Sequence, residues 1–199
     1  CFRHMPSQPN LPQKTKPLRI ALLAYTGCVA TEIFAVADVL LAHFWDVDRG
    51  GVFTPPDDGE QRVARQKELL DNATPSANSS AALALARLGA LTGEARYTNH
   101  ADQIIRLLAR AVPQSPAAFS QALMAVASRQ AGATEIVITG DRRDLLAEVR
   151  RHWLPDAVMA WGEPFDSPLW HQRADGLAFV CHDHACQLPA ENVTDLAAQ

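Results

Sequence analysis

The chain has 199 residues and a mass of 21.7 kDa, with 48% apolar and 20% charged side chains, enough for one domain or two small ones around a real core and too hydrophobic for wholesale disorder. Its formal net charge of −4, from 18 basic and 22 acidic residues, excludes a basic footprint for nucleic acid or anionic lipid. No apolar run exceeds six residues, far short of the roughly 20 that cross a bilayer. Residues 1–16 carry Pro6, Pro9 and Pro12 and lack the apolar core of a signal peptide. A cytoplasmic chain is expected, with neither membrane nor nucleic acid as partner.

In chain order, residues 1–16 read as a flexible arm, opening on Cys1 with the first Met at Met5, as a trimmed or truncated product would. Leu18–Tyr25 is a compact apolar run of strand length, and Ile33, Val36, Ala37, Leu40 and Phe44 recur at helical spacing, predicting a βα unit over 17–43. Residues 45–60 are loop, rich in Gly, Pro and Asp, and 61–70 carry no clear period. Ala is concentrated between Ala81 and Ala131, which hold 15 of the 34 alanines, and as the best helix former it predicts helices there. One spans about 78–92, capped by Ser76 or Asn78 and stopped at Gly93; a second spans 97–112 on the stripe Tyr97, Ala101, Ile104, Ile105, Leu108 and Val112. A third spans 116–130, with Ser115 as cap and Pro116 at its first position. Short connections make these antiparallel hairpins. The period then changes: EIVIT (135–139) is a strand, Leu145, Leu146, Val149 and Trp153 form a helical stripe, and AVMAW (157–161) and LAFVC (177–181) are further strands. The crossover should make the first two strands parallel. The fold class expected is α+β, helical hairpins followed by a small βαβ-β layer.

The densest chemistry is Cys181-His182-Asp183-His184-Ala185-Cys186. Thiolates and imidazoles suit Zn²⁺, but four residues separate the cysteines where knuckles and redox pairs have two. On a continuing strand His182 and His184 would share a face opposite Cys181. No metal is therefore expected, Cys181 should pack on the sheet, and the histidines should be solvated. A disulfide is possible if the turn brings the cysteines together, although a cytosolic chain would ordinarily keep it reduced. The acidic loop holding Asp46, Asp48, Asp57, Asp58 and Glu60 fails the EF-hand spacing and reads as solvated. With no glycine-rich phosphate motif, and lysines only at 14, 16 and 67, no nucleotide or other cofactor is expected. The loop from Glu68 to Ser80 supplies Glu68, Asp71, Asn72, Thr74, Ser76 and Asn78, residue types suited to sugar hydroxyls and acid–base work, and equally to helix capping.

FWDVDRGGVFTPPDDGE (44–60), KELLDNATPSANSSAALALARLGALTGEARY (67–97), SPAAFSQALMAV (115–126), TEIVITGD (134–141) and FVCHDHACQLP (179–189) resemble the last part of the bacterial thioredoxin-domain proteins related to spermatogenesis-associated protein. The resemblance covers residues 44–199. It implies a partial (α/α)6 toroid over 44–131, like those of N-acylglucosamine 2-epimerases and six-hairpin glycosidases, and a C-terminal α/β layer over 132–199. It further implies that Gly50, Gly51 and Phe53, with Asp71, Asn72, Pro75, Ser76 and Asn78, are parts of a toroid mouth that holds a carbohydrate. Ala77 stands where that family usually has Gly. Glu68 and Asp71, with His100, would then be the catalytic candidates of a small epimerase or hydrolase. Residues 17–43 resemble the first βα unit of the amidotransferase-like domain of AraC-type regulators, placing Glu32 on its first helix and making a regulatory binding fragment an alternative. Together the resemblances imply an incomplete, catalytically silent fragment of a carbohydrate-active-like protein, with no thioredoxin domain and too few hairpins to close the toroid.

Overall fold

The computed structural model describes residues 26–59 and 64–199. The expected strand at 18–25 lies outside the described residues. The first described element is helix α1 (Thr26–His43), and helices α2 (Ala77–Thr92), α3 (Ala95–Leu108) and α4 (Ser120–Ala131) follow. Next come strand β1 (Thr134–Ile138), helix α5 (Arg143–Val149), strands β2 (Ala157–Trp161), β3 (Ala178–His182) and β4 (Ala185–Cys186), and a last short helix, α6 (Val193–Ala197). The architecture is α+β: a helical layer, then a small mixed sheet.

Helix α2 starts where Ser76, in extended conformation, accepts a hydrogen bond from the Ser79 N–H, and it ends where Gly93 adopts the left-handed conformation at φ 71°. A cap of this kind contributes about 1 kcal/mol. The alanines of α2 are small enough to bring its neighbours close, and the core fills with Leu85 and Leu88 from α2, Tyr97, Ala101, Ile104 and Leu108 from α3, and Phe119, Ala122 and Ala125 from α4. Ala37 of α1 is buried in the same cluster. Each of the large side chains is 2% exposed or less, and burying one contributes on the order of 2 kcal/mol.

The sheet has the order β2-β1-β3-β4. As expected, β1 and β2 are parallel; β3 runs antiparallel to β1, and β4 antiparallel to β3. Side-chain alternation sends Val137, Phe179 and Cys181 to one face, against Ala90 and Leu91 at the end of α2 and Leu169. Ile136, Ile138 and Ala178 face the other way, onto Leu145, Leu146 and Leu196 of α5 and α6. The end of α2 therefore ties the helical layer to the sheet.

Several boundaries differ from the periodicity. The second hairpin helix ends at Leu108, and Val112 opens a single 3₁₀ turn, because Pro113 cannot donate the next hydrogen bond. Pro116 begins a 3₁₀ turn rather than the α-helix, Ser115 makes no side-chain cap, and α4 starts at Ser120. Helix α5 stops at Val149, leaving Trp153 outside it and 87% exposed. The strand does not continue through His184: Asp183 and His184 adopt φ 48° and 65° and turn the chain into a two-residue hairpin, so His182 and His184 share no strand face. Cys181 is buried on the sheet and both histidines are exposed, as expected, but the cysteines are joined as a disulfide between directly opposed residues of the hairpin.

Of the three hairpin positions that test how closed the helical layer is, Leu85 is fully buried, Ile105 half-buried and Leu123 38% exposed, with Met124 beside it at 49%. Part of the apolar stripe therefore meets solvent. Among the described residues no helix is long and apolar enough to cross a membrane.

Candidate functional site

The loop after α1 is built by its own sequence. Asp46 accepts hydrogen bonds from the N–H groups of Asp48 (2.9 Å) and Arg49 (3.1 Å), an Asx turn that reverses the chain. The turn brings Trp45 and Val52 into an antiparallel bridge, with Gly50 and Gly51 at positive φ between them. At Gly51 (φ +82°) a Cβ would lie 2.7 Å from both Asn78 Oδ1 and Leu107 Cδ2, so only glycine fits without displacing its neighbours.

Asn78 holds this loop onto α2. Its Oδ1 accepts from the Val52 N–H at 2.8 Å, and its Nδ2 donates to the Val52 carbonyl at 2.9 Å and to the Glu68 carbonyl at 2.8 Å. Asp71 does similar work further along. Its Oδ1 accepts from the Ser76 N–H at 2.8 Å, while Oδ2 accepts from the N–H groups of Gln121 (2.8 Å) and Ala122 (3.4 Å), tying the start of α2 to the start of α4. Burial disfavours the Asp71 carboxylate, but these N–H groups and the Ser79 hydroxyl outweigh it and hold the carboxyl below its usual range. Ser76 caps α2, and the Asn72 N–H donates to the Thr74 carbonyl. Asn72 and Pro75 are exposed, as is Glu68.

An open cleft of about 680 Å³ lies on the outer side of the Gly-Gly loop, lined by residues that include Trp45, Asp46, Phe53, Asp57, Arg65 and Lys67. The Lys67 ammonium forms an ion pair with Asp46 at 2.6 Å and also donates to the Gly50 carbonyl, which draws the Asp46 carboxyl below its normal range. Arg65 donates to the carbonyls of His43 (2.7 Å) and Pro55 (2.9 Å). Both cations sit over the ring of Phe53, at 4.3 Å for the guanidinium carbon and 5.0 Å for the ammonium. Trp45 packs edge-on against His100 with ring centroids 4.4 Å apart.

At the rim, the His43 imidazole donates to Asp57 at 2.9 Å, which raises its pKa and lowers that of Asp57. Asp58 stands 4.0 Å away, and the ligand atoms of His43, Asp57 and Asp58 lie within 4.8 Å of one another. Both carboxylates are half exposed or more, and the ion pair accounts for the arrangement.

The expected site residues thus divide. Gly50, Gly51, Asn78, Asp71 and Ser76 frame the loops by hydrogen bonds and close packing, and Phe53 alone of the set lines the cleft. Trp45, Asp46, Arg65 and Lys67 were missed. Asp46, in a loop whose composition reads as solvated, is only 8% exposed, because its carboxylate is consumed by the turn and by Lys67. The one sequence signal for it was an Asp followed two to five residues later by Asp, Arg and paired glycines.

No family model matches the chain. It is similar to spermatogenesis-associated protein 20 of Homo sapiens, 28% identical over 170 residues, and to its counterparts in Rattus norvegicus (26%) and Mus musculus (25%). In each case the match covers 77% of this chain and 22% of the relative, so the chain spans about a fifth of the length of these curated relatives. The similarity agrees with the resemblance carried by residues 44–199, while the likeness of 17–43 to AraC-type regulators finds no support.

Proposed function

We propose that this chain is the hairpin and C-terminal portion of a six-hairpin glycosidase-like, thioredoxin-domain protein of the cytoplasm, which receives a carbohydrate at the Trp45–Phe53 cleft and does not turn it over on its own. Asp71 carries the silent half of this reading. Its carboxylate accepts three backbone N–H groups and is held ionised, so it has neither a proton to give nor a free oxygen to take one. The binding half rests on the open cleft lined by Trp45 and Phe53, aromatic side chains of the kind that engage the apolar face of a sugar ring, while Asp46, Arg65 and Lys67 are paired with one another and with the loop backbone. Glu68, exposed across the loop, and His100, against Trp45, are the remaining acid–base candidates.

The test is a titration of the chain with glucose, mannose and N-acetylglucosamine, following Trp fluorescence and protein amide shifts, alongside deuterium exchange at the sugar's second carbon. Saturable binding weakened by Phe53→Ala, with no exchange, is the expected outcome. Exchange that is lost in Asp71→Ala or Glu68→Gln overturns the silent reading, and absence of saturable binding overturns the sugar.

A further inference from the structure

The hairpin tip at 181–186 has a construction that the sugar cleft does not use. Cys181 and Cys186 are bonded, and they differ in access: Cys181 is 1% exposed, whereas Cys186 faces solvent. Arg173 aims one guanidinium nitrogen at both sulfurs, 3.0 Å from Cys186 Sγ and 3.6 Å from Cys181 Sγ. Its direction is fixed from behind, since its Nε donates to the Leu169 carbonyl at 3.0 Å and its guanidinium carbon lies 4.7 Å from the centroid of the Phe179 ring. Among the described residues no carboxylate forms an ion pair with it. Directly across from Cys181 on β1, and on the same face, is Glu135, wholly buried, with one carboxylate oxygen lacking a hydrogen-bond partner. Its other oxygen accepts from the His184 N–H at 3.2 Å. Among the described residues, the charged and titratable groups near the disulfide are Arg173, Glu135, whose Oε1 lies 3.8 Å from His184 Nδ1, and the pair His182 and Asp183 at 3.9 Å.

A structural cross-link would need no oriented cation at its sulfurs. We propose that Cys181–Cys186 is a thiol–disulfide exchange site, in which a thiolate of an external dithiol attacks Cys186 and Cys181 leaves. The attacking sulfur bonds to Cys186 Sγ, the Cys186–Cys181 bond breaks, and its electron pair goes to Cys181. That thiolate forms near the Arg173 guanidinium, one of whose nitrogens stands 3.6 Å from the Cys181 sulfur, and is protonated from solvent. The dithiol's second sulfur then attacks the first, closing its own disulfide and releasing Cys186 as a thiolate that is protonated from solvent. Two electrons and two protons pass to the chain, and the dithiol is oxidised. Exposure makes Cys186 the attacked sulfur, since a nucleophile must approach along the S–S axis and Cys181 is shielded by the sheet.

The experiment uses the whole chain, oxidised and without denaturant, with dithiothreitol as the dithiol and alkylation with peptide mapping as the readout, which separates these sulfurs from Cys1 and Cys28. Cys181 and Cys186 should both become labelled under native conditions. Single variants fix the direction: Cys181→Ser should form a mixed disulfide with glutathione disulfide at least about tenfold faster than Cys186→Ser does. Arg173→Met should slow native reduction by roughly fivefold or more, with Arg173→Lys restoring part of the rate. A disulfide reduced only after unfolding overturns the proposal, as does equal or reversed reactivity of the two single-cysteine variants. An unchanged rate in Arg173→Met removes the guanidinium from it. Reduction of the unaltered chain stands as a test even where a variant fails to fold.

Discussion

Asn78 binds Val52 as a strand would: its side-chain amide accepts from the Val52 N–H at 2.8 Å and donates to the Val52 carbonyl at 2.9 Å, across 26 residues of sequence. The Gly-Gly loop is thereby pinned to the first turn of α2, and the cleft wall that follows from it, Phe53, is positioned by a helix rather than by the loop itself.

Removing that amide leaves a buried N–H and a buried carbonyl without partners. Asn78→Ala should therefore lower stability by about 2–4 kcal/mol, at the desolvation cost of the stranded groups. Asn78→Asp should cost a similar amount, because it keeps one acceptor, loses both donors and buries a charge. Urea denaturation followed by far-UV circular dichroism reads both.

Asp71 makes acid sensitivity a local property. Its folded pKa is depressed below the ordinary 3.8 of an aspartate, so the unfolded chain binds a proton more readily than the folded one. Stability from this group is present above the unfolded pKa and is lost as pH falls through the folded pKa. Asp71→Asn should be less stable than the unaltered chain at pH 6, and the difference should shrink as pH falls below 3.8. Melting temperatures measured from pH 6 downwards test this; a constant difference across that range would remove Asp71 from the acid response.

Gly51→Ala should be among the most damaging single-methyl changes in the chain. The left-handed backbone alone costs an alanine about 1–2 kcal/mol, and here the added Cβ would also meet Asn78 Oδ1 and Leu107 Cδ2 at 2.7 Å. Gly176, at φ +77° with nothing within 4 Å, is the matched control and should show the backbone cost only. Thermal unfolding of the two variants separates sterics from conformation.

Leu85 and Leu123 lie on adjacent helices of one layer and should respond differently to truncation. Leu85 is wholly buried, so Leu85→Ala should cost about 2–5 kcal/mol through lost burial and the cavity left behind. Leu123 is 38% exposed, and Leu123→Ala should cost under about 1 kcal/mol, since much of that surface already meets water. Equal losses by chemical denaturation would show that the exposed face of α4 is covered in solution.

Local physics was legible where one element carried the whole signal. The stop of α2 could be read from Gly93 and its cap narrowed to Ser76 or Asn78, of which Ser76 makes the cap, because a cap and a left-handed glycine are decided by residues adjacent in sequence. The strands at 134–138 and 157–161 were legible for the same reason. Boundaries failed at Val112 and Trp153, where apolar spacing continues past the end of the helix, and at Pro116, where a 3₁₀ turn comes before the α-helix. The cleft was the least legible part. Lys67 belongs to a stretch with no period of its own, and its role depends on Asp46, 21 positions earlier, which acquires a partner only when the loop folds back.

What the sequence by itself determined is the α+β order, the end of α2 at Gly93 and the parallel pair of strands, each set by propensity, periodicity and turn chemistry acting over a few residues. It also placed acids, amides, cysteines and histidines together, but residue type leaves their work open: a carboxylate serves a helix cap and a sugar hydroxyl with the same two oxygens. Only the tertiary structure decided between these uses. It did so by supplying competing donors to Asp71 from a helix 50 residues away, and by closing a two-residue turn that sets Cys186 opposite Cys181 under the guanidinium of Arg173. Those partners are distant in sequence, and a hydrogen bond or a disulfide is specified by where its other half comes to rest.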